Sequence, residues 1–327
     1  MYNLREITEK SNISTSFNGH ILFDEKIAPK TSFKIGGNAP VFAEPKDTPS
    51  LIKILEFSRE NRIPYFILGG GTNIVVSDEG FDGIVISTSA LNSITIEKKE
   101  GNSVFVSASS GTAMSRLVSF CTENCLSGIE EFAGLPGSVG GALFMNARCF
   151  SLSVSDVLTK AEYINSQLKI EQYDFYEGDW DYKISPLSHG QIITKGLFRL
   201  NQEAPDRKDE ISQKCAGFIK QRIEKGHFKF PSAGSVFKNN HEFGEPAGKI
   251  IDSLGLKGYS VGGAQISPWH GNIIINRNNA TQSDVLALVE FIREKVFAEK
   301  GFCLECEIIF CGKNAPANLF SRQLHKS

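Results

Sequence analysis

Three stretches of the chain carry residue types and spacings from which chemistry could be built. Leu68-Gly69-Gly70-Gly71-Thr72-Asn73 puts several backbone N–H groups at the end of an apolar run, a nest suited to phosphate. Gly134-Leu135-Pro136-Gly137-Ser138-Val139-Gly140-Gly141 offers a second nest of the same kind. Neither is the dinucleotide fingerprint: the third glycine is missing after Gly69, and strands rather than a helix follow. The second loop lacks the Lys-Ser/Thr pair of a P-loop, which argues against ATP hydrolysis. Alone, each loop reads equally well as a tight turn. Together, with hydroxyl and amide partners, they suit a pyrophosphate held without a cation. The third stretch is Pro231-Ser232-Ala233-Gly234-Ser235-Val236-Phe237-Lys238-Asn239, a turn expected to enter a strand. Strand alternation would set Ser235, Phe237 and Asn239 on one side, so that a hydroxyl and an amide share one space. Gly234 would let a ligand or another backbone come close.

Metal chemistry has little support. Cys303-x-x-Cys306 has metal-like spacing but no second pair, and His241-Glu242 is followed by Glu245 where a zinc-protease motif needs histidine. The seven cysteines are odd in number and scattered, which fits reduced, partly buried thiols. A formal charge of −2 gives no basic field for nucleic acid, so an anionic ligand must be met by local cations or backbone N–H groups. No apolar run is long enough to cross a bilayer, and Met1 to Ser16 lacks the apolar core of a signal peptide. A cytoplasmic protein, without nucleic-acid or membrane partners, is expected.

The elements that must position these stretches alternate along the 327 residues, enough for two or three domains. A helix starts at Thr48-Pro49 and stops before Pro64. Strands are expected at 65–68, 74–76 and 83–86, and a hairpin joins 93–97 to 103–108 through a turn over 98–102. Thr112 is expected to cap a helix with Leu117, Val118, Cys121 and Cys125 on one stripe, closed by Gly128. Strands and loops fill 157–200. A charged amphipathic helix over 206–225 follows the Ala204-Pro205 linker. Helices over 246–254 and 283–300 and a last strand over 302–310 complete the reading, with a loosely anchored tail beyond.

The order of these motifs resembles the UDP-N-acetylenolpyruvoylglucosamine reductase family from about Pro29 to Gly312. Thr31-Ser32-Phe33-Lys34-Ile35-Gly36-Gly37, the two glycine loops and Met145-Asn146-Ala147 resemble its flavin-binding half. Arg222-x-x-Lys225, the 231–239 stretch, Ala247-Gly248-Lys249-Ile250-Ile251-Asp252, Gly255-Leu256-Lys257-Gly258, Gly262-Gly263-Ala264-Gln265 and Leu304-x-x-Glu307 resemble the remainder. Spacing between Lys225 and Ser235 resembles the compact class.

The resemblance implies an α+β fold: a two-part FAD-binding domain of the vanillyl-alcohol-oxidase (PCMH) type plus a C-terminal α/β substrate-binding domain. The bounds it implies are an N-terminal extension over 1–28, FAD-binding subdomains over about 29–90 and 91–204, a substrate domain over 205–312 and a tail over 313–327. It implies non-covalent FAD, NADPH as co-substrate and a UDP-sugar substrate, with no metal. FAD contacts would come from Gly69, Gly70, Gly71, Thr72, Asn73, Gly134, Pro136, Gly137, Ser138, Gly140 and Gly141. Tyr182, Lys225 and Asn239 would bind substrate, and Ser235 would be the proton donor. The family's C-terminal glutamate falls on Glu307, although strand alternation alone would leave Glu305 on the same face. Where the family has Tyr-Arg-x-Ser, this chain has Tyr182-Lys183-Ile184-Ser185, so a point charge replaces a planar fork at the third catalytic position. Lys225-Gly226-His227 and Arg148-Cys149-Phe150 also depart from the family pattern. Two rivals are an oxidase on the same scaffold and a nucleotide-sugar sensor without turnover. Many of the oxidases tether FAD through a histidine beside the first glycine loop, and none lies near Gly69 to Asn73.

Overall fold

Three sheets of four or more strands organise most of the described residues, and each draws its apolar face from a different stretch of sequence. The computed structural model describes residues 4–11, 13 and 17–313. Its first sheet orders Gly19–Lys26, Asn38–Pro45, Ile84–Ser87 and Tyr65–Leu68. Ile84–Ser87 pairs in parallel with both neighbours, and Ile84, Val85 and Ile86 are buried, as expected for a strand covered on two faces. The Thr48–Glu60 helix covers this sheet with Leu51, Ile54 and Leu55; Asp47 caps it by accepting from Ser50 N. Residues 19–26, read from sequence as part of an extension, form the antiparallel edge strand of this sheet. All but Lys313 of the 313–327 tail lies outside the described residues.

The second sheet is antiparallel, in the order Ile170–Asp174, Leu158–Ile164, Ile192–Gln202, Ser103–Ser109, Ile94–Glu100, with Leu126–Ser127 also on the long third strand. Its hairpin is tighter than expected. Pairing runs to Glu100↔Ser103, leaving Gly101-Asn102 as the turn, with Gly101 at φ +57°. The Met114–Glu123 helix packs Leu117, Val118 and Cys121 on the sheet, but Thr112 does not cap it. Ala113 takes the cap position, and the Thr112 hydroxyl instead donates to Ser93 O at 3.2 Å. The helix stops at Asn124, ahead of Gly128, and Cys125 turns left-handed at φ +54°.

The third sheet orders Ser232–Ser235, Ile273–Asn276, Ala264–Ile266 and Ser260–Val261. The Gln282–Lys300 helix packs Val285, Leu288, Val289, Ile292 and Val296 against the surrounding core, with a Thr281/Asp284 capping box at its start and Gly301 at φ +77° beyond its end. Two shorter-range expectations shift here. The helix near 246–254 spans Ala247–Ser253, and the last strand shrinks from 302–310 to Ile309–Cys311. Upstream of it only the Phe237↔Cys306 bridge is sheet-like. Ile309–Cys311 pairs in parallel with Ile74–Val76, far back in the chain. One apolar cluster therefore runs from Phe42, Phe66 and Val75 through Phe310 to Val289 and Ile292. Gln282 Nε2 stitches it by donating to Val75 O at 2.8 Å and Cys311 O at 3.0 Å.

Candidate active site

Where the three sheets meet, a cavity of about 320 Å³ opens. Both glycine loops form its wall, and their glycines are explained first by contact with each other. A Cβ on Gly70 would sit 2.6 Å from Gly137 Cα, and one on Gly137 2.8 Å from Thr72 Oγ1. Ser138 Oγ joins the loops by accepting from Gly70 N at 3.2 Å and Gly141 N at 3.3 Å, while Gly140 N donates to Ser110 O at 2.8 Å. Three of the N–H groups expected to face phosphate are thus spent inside the protein. Gly134 departs from the expectation altogether. It is not on the cavity wall; at φ +74° it lies against Arg222 Cδ (3.1 Å from an added Cβ) and Ile219 on the Lys208–Glu224 helix.

Ser235 lies on the opposite wall, at the end of a strand rather than at its beginning. Its pairing with Ile273 follows an irregularity around Gly234, which takes φ +74°. The strand expected to run on past Ser235 does not form: it ends at Ser235, the chain bends at Val236, and Val236 and Phe237 are both buried. Asn272, unnoticed in the sequence, is the reason. Its carbonyl accepts from Val236 N at 2.9 Å, its Oδ1 from Phe237 N at 2.8 Å, and its Nδ2 donates to Phe237 O at 2.8 Å. A side-chain amide so placed replaces a partner strand and fixes the backbone next to Ser235.

Glu307 and Glu305, inseparable by periodicity, have different surroundings. The Glu305 carboxylate is 69% exposed and pairs with Lys238. The Glu307 carboxylate is 8% exposed, lines the cavity and accepts from Lys183 Nζ at 2.6 Å, with the lysine 13% exposed. Two backbone bonds hold Glu307 in register: its N–H donates to Val236 O at 2.7 Å, and its carbonyl accepts from Asn73 Nδ2 at 3.1 Å. Asn73 is therefore a joint between the first glycine loop and the carboxylate-bearing segment. Lys183 reaches the cavity from a two-residue turn closed by Asp181 and Ile184, at φ +57°. Lysine in that left-handed region is uncommon, and the ion pair is a reason to tolerate it.

The other expected substrate contacts are not on this wall. Asn239 N donates to the Tyr182 hydroxyl at 3.3 Å, and Asn239 Oδ1 accepts from Ala247 N at 3.0 Å. Lys225 closes the Lys208–Glu224 helix, its Nζ 5.6 Å from the Phe150 ring centroid. These three residues do not line the cavity with Ser235, Lys183 and Glu307.

Sequence reasoning left out several groups on the wall. Arg222, quoted only as part of a motif, donates from Nε to Ala133 O at 3.2 Å and stands over Phe150. Burial, followed by His270, Arg222 and Lys225, pushes the His227 imidazole down to about 4, so a neutral ring lines the cavity beside cations. Burial also pushes up the Cys149 thiol, against the opposing effect of Arg222. Ser110 is 1% exposed, and its Oγ has no hydrogen-bond partner among the described residues. A polar orphan on the wall of a cavity lined by both glycine loops fits a large hydrogen-bonding cofactor such as FAD. Among the described residues no group of three His, Cys, Asp or Glu side chains could hold a metal, and no helix is long and apolar enough to cross a membrane.

Comparison with known proteins agrees with this layout. Residues 39–170 match the FAD binding domain family, and residues 225–311 match the UDP-N-acetylenolpyruvoylglucosamine reductase, C-terminal domain family. The chain is 45% identical over 307 residues to the UDP-N-acetylenolpyruvoylglucosamine reductase of Treponema denticola, covering 90% of itself and 94% of that protein. It is 37% identical over 335 residues to the Treponema pallidum protein of the same name, covering 90% and 95%. The crystal structure of the Thermus caldophilus UDP-N-acetylenolpyruvylglucosamine reductase superposes with a TM-score of 0.74 at 30% identity, over 90% of this chain and 99% of that one. An α+β chain with an FAD-binding domain, it belongs to the UDP-N-acetylenolpyruvoylglucosamine reductase family.

Proposed function

We propose that the protein is an NADPH-dependent flavoenzyme that reduces the enolpyruvyl ether of UDP-N-acetylglucosamine to UDP-N-acetylmuramate, a step of peptidoglycan precursor synthesis in the cytoplasm. The observation that carries this reading is that Ser235, Lys183 and Glu307 share one cavity with the two glycine loops. Residues 29–204 are assigned mainly to the cofactor and 205–312 mainly to the substrate, although Tyr182 and Lys183 of the first part are assigned to the substrate and Ile309–Cys311 pairs with a strand of the cofactor half. Tyr182, Lys225 and Asn239 stand away from the cavity wall and are assigned to the nucleotide rather than to the reacting atoms. Gly69 to Asn73 and Pro136 to Gly141 would hold FAD non-covalently, and the flavin would supply, at the expense of NADPH, the hydride that the terminal vinyl carbon of the substrate takes up.

The chain's own groups do the rest. Electron density moves toward the substrate carboxylate as hydride arrives, and the Lys183 ammonium, which shares the wall with Arg148 and Arg222, is the cation assigned to offset it. Glu307 aims that ammonium, and its own backbone is fixed by Val236 and Asn73. The Ser235 hydroxyl delivers a proton to the carbon bearing the ether oxygen. Serine is a weak acid, but an enolate-like carbon is a strong enough base to take its proton. One carbon gains a hydride and its neighbour a proton, so the double bond is reduced without loss of the ether.

Anaerobic addition of NADPH tests the reading. The yellow protein should bleach, and the enolpyruvyl nucleotide should restore its colour. Denaturation should release free flavin. Oxygen restoring colour while the nucleotide does nothing would indicate an oxidase, and a protein that does not bleach would be a sensor.

A further inference from the structure

Two buried side-chain polar atoms lack a hydrogen-bond partner among the described residues, Ser110 Oγ and Arg293 Nε. Only the first is on the cavity wall. Ser110 directly follows the Ser103–Ser109 strand and is immobilised from both sides. Its N–H donates to Thr194 O at 2.8 Å on the neighbouring strand, and its carbonyl accepts from Gly140 N at 2.8 Å at the second glycine loop. A Cβ on Gly140 would stand 2.8 Å from Ser110 Cβ, so that glycine is what leaves the serine its space. Neighbouring hydroxyls differ. Thr112 Oγ1 donates to Ser93 O, and Ser138 Oγ accepts from two glycine N–H groups. Natural folds leave few buried hydroxyls unpaired, because each destabilises the protein that carries it. An unpaired hydroxyl on a residue held this firmly in the wall of a ligand cavity is suited to a partner on the ligand.

We propose that Ser110 Oγ donates a hydrogen bond to an acceptor of bound FAD, on the isoalloxazine ring or the diphosphate. The assignment rests on the cavity being the flavin site. It gives Ser110→Ala opposite effects in the two states of the protein. With FAD bound the variant lacks a bond; without it, the variant is relieved of an unpaired hydroxyl.

The experiment compares wild-type and Ser110→Ala full-length protein by flavin fluorescence on dilution and by thermal unfolding at limiting and saturating FAD. The Kd for FAD should rise roughly 3- to 15-fold for a neutral ring acceptor, and up to about 100-fold for a diphosphate oxygen. A shifted visible spectrum of the bound flavin places the acceptor on the ring, and an unchanged spectrum with the raised Kd places it on the diphosphate. At limiting FAD the variant should melt no lower than wild type, and at saturating FAD below it. An unchanged Kd, or equal loss of melting temperature at both FAD levels, overturns the proposal and makes Ser110 a packing residue. A wild-type preparation that neither carries nor takes up flavin overturns the flavin reading itself.

Discussion

Replacing Lys183 by alanine is the substitution whose consequences the structure separates best. The ammonium has two partners to lose. One is Glu307, whose carboxylate is 8% exposed and 2.6 Å away. The other, on the proposed function, is the negative charge that grows on the substrate. Breaking a fully buried ion pair costs about 3–5 kcal/mol, and a carboxylate that opens onto a cavity should fall below that range, at about 1–3 kcal/mol of stability. Losing one preorganised partner of a developing anion costs about 2.7–4 kcal/mol, or roughly 10²–10³ in rate. The ground-state carboxylate already feels part of the same attraction, so some of the loss will appear as weaker binding. We expect reoxidation of pre-reduced Lys183→Ala enzyme by the enolpyruvyl nucleotide to slow about 100-fold, with nucleotide Kd changed by less than about tenfold. Lys183→Arg should keep substantial activity, since the φ +57° turn is no harder on arginine than on lysine. Single-turnover absorbance of the flavin reads the rate, and urea unfolding reads the stability. Adding Glu307→Gln to Lys183→Ala should recover stability but not rate, because it removes the stranded carboxylate without replacing the cation. A Lys183→Ala rate within about threefold of wild type, under 1 kcal/mol of barrier, would refute the role given to the ammonium. So would recovery of rate by Glu307→Gln.

Three other outcomes are expected. Ser235→Ala should leave bleaching by NADPH nearly intact and slow nucleotide-dependent reoxidation by about 10²–10⁴-fold; equal slowing of both steps would mean a folding or flavin-binding defect instead. Gly70→Ala puts a methyl 2.6 Å from Gly137 Cα, backbone against backbone, and should cost at least about 1–3 kcal/mol in unfolding experiments while stripping FAD; retention of full flavin content would show that the loops can part freely. His227 titrates near 4 when folded and near 6.5 when unfolded, so the unfolded chain takes the proton first. Stability should therefore fall as pH drops from about 6.5 toward 4, and His227→Phe should flatten that slope in pH-dependent melting, leaving the smaller part due to His270.

Much of this architecture is written in local pattern. Short apolar runs mark 74–76 and 84–87, because strands buried on both faces need no polar alternation, and Pro64 and Gly69 bound the edge strand at 65–68. The Gln282–Lys300 helix is legible from its spacing, within one residue of its start, whereas its Thr281 cap went unread. The site is less legible where partners are distant. Asn272 determines the backbone after Ser235 from 35 residues away, and nothing in the 231–239 stretch announces that the strand will end at Ser235. Glu305 and Glu307 differ in burial and in partner, Lys238 for the first and Lys183 for the second, and neither lysine is close in sequence. Gly134 shows the reverse error, in which a glycine inside a recognisable loop serves helix packing against Arg222 and Ile219. Local chemistry shows that a position is special, and the tertiary partner decides what it is special for.

The parallel pairing of Ile309–Cys311 with Ile74–Val76 has a consequence for biosynthesis. Asn73 and Glu307, tied together beside that pairing, are 234 residues apart along the chain. At ribosomal rates that interval lasts on the order of 10–50 s, during which the Ile74–Val76 edge and part of the largest apolar cluster wait for a segment not yet made. The second sheet, closed entirely by residues 94–202, needs no such wait and can mature while synthesis continues. Birth on the ribosome is thus staged, and the glutamate that aims Lys183 arrives with the strand that completes the oldest part of the fold. A nascent chain stalled before residue 307 would lack both the strand that pairs with Ile74–Val76 and the carboxylate that pairs with Lys183.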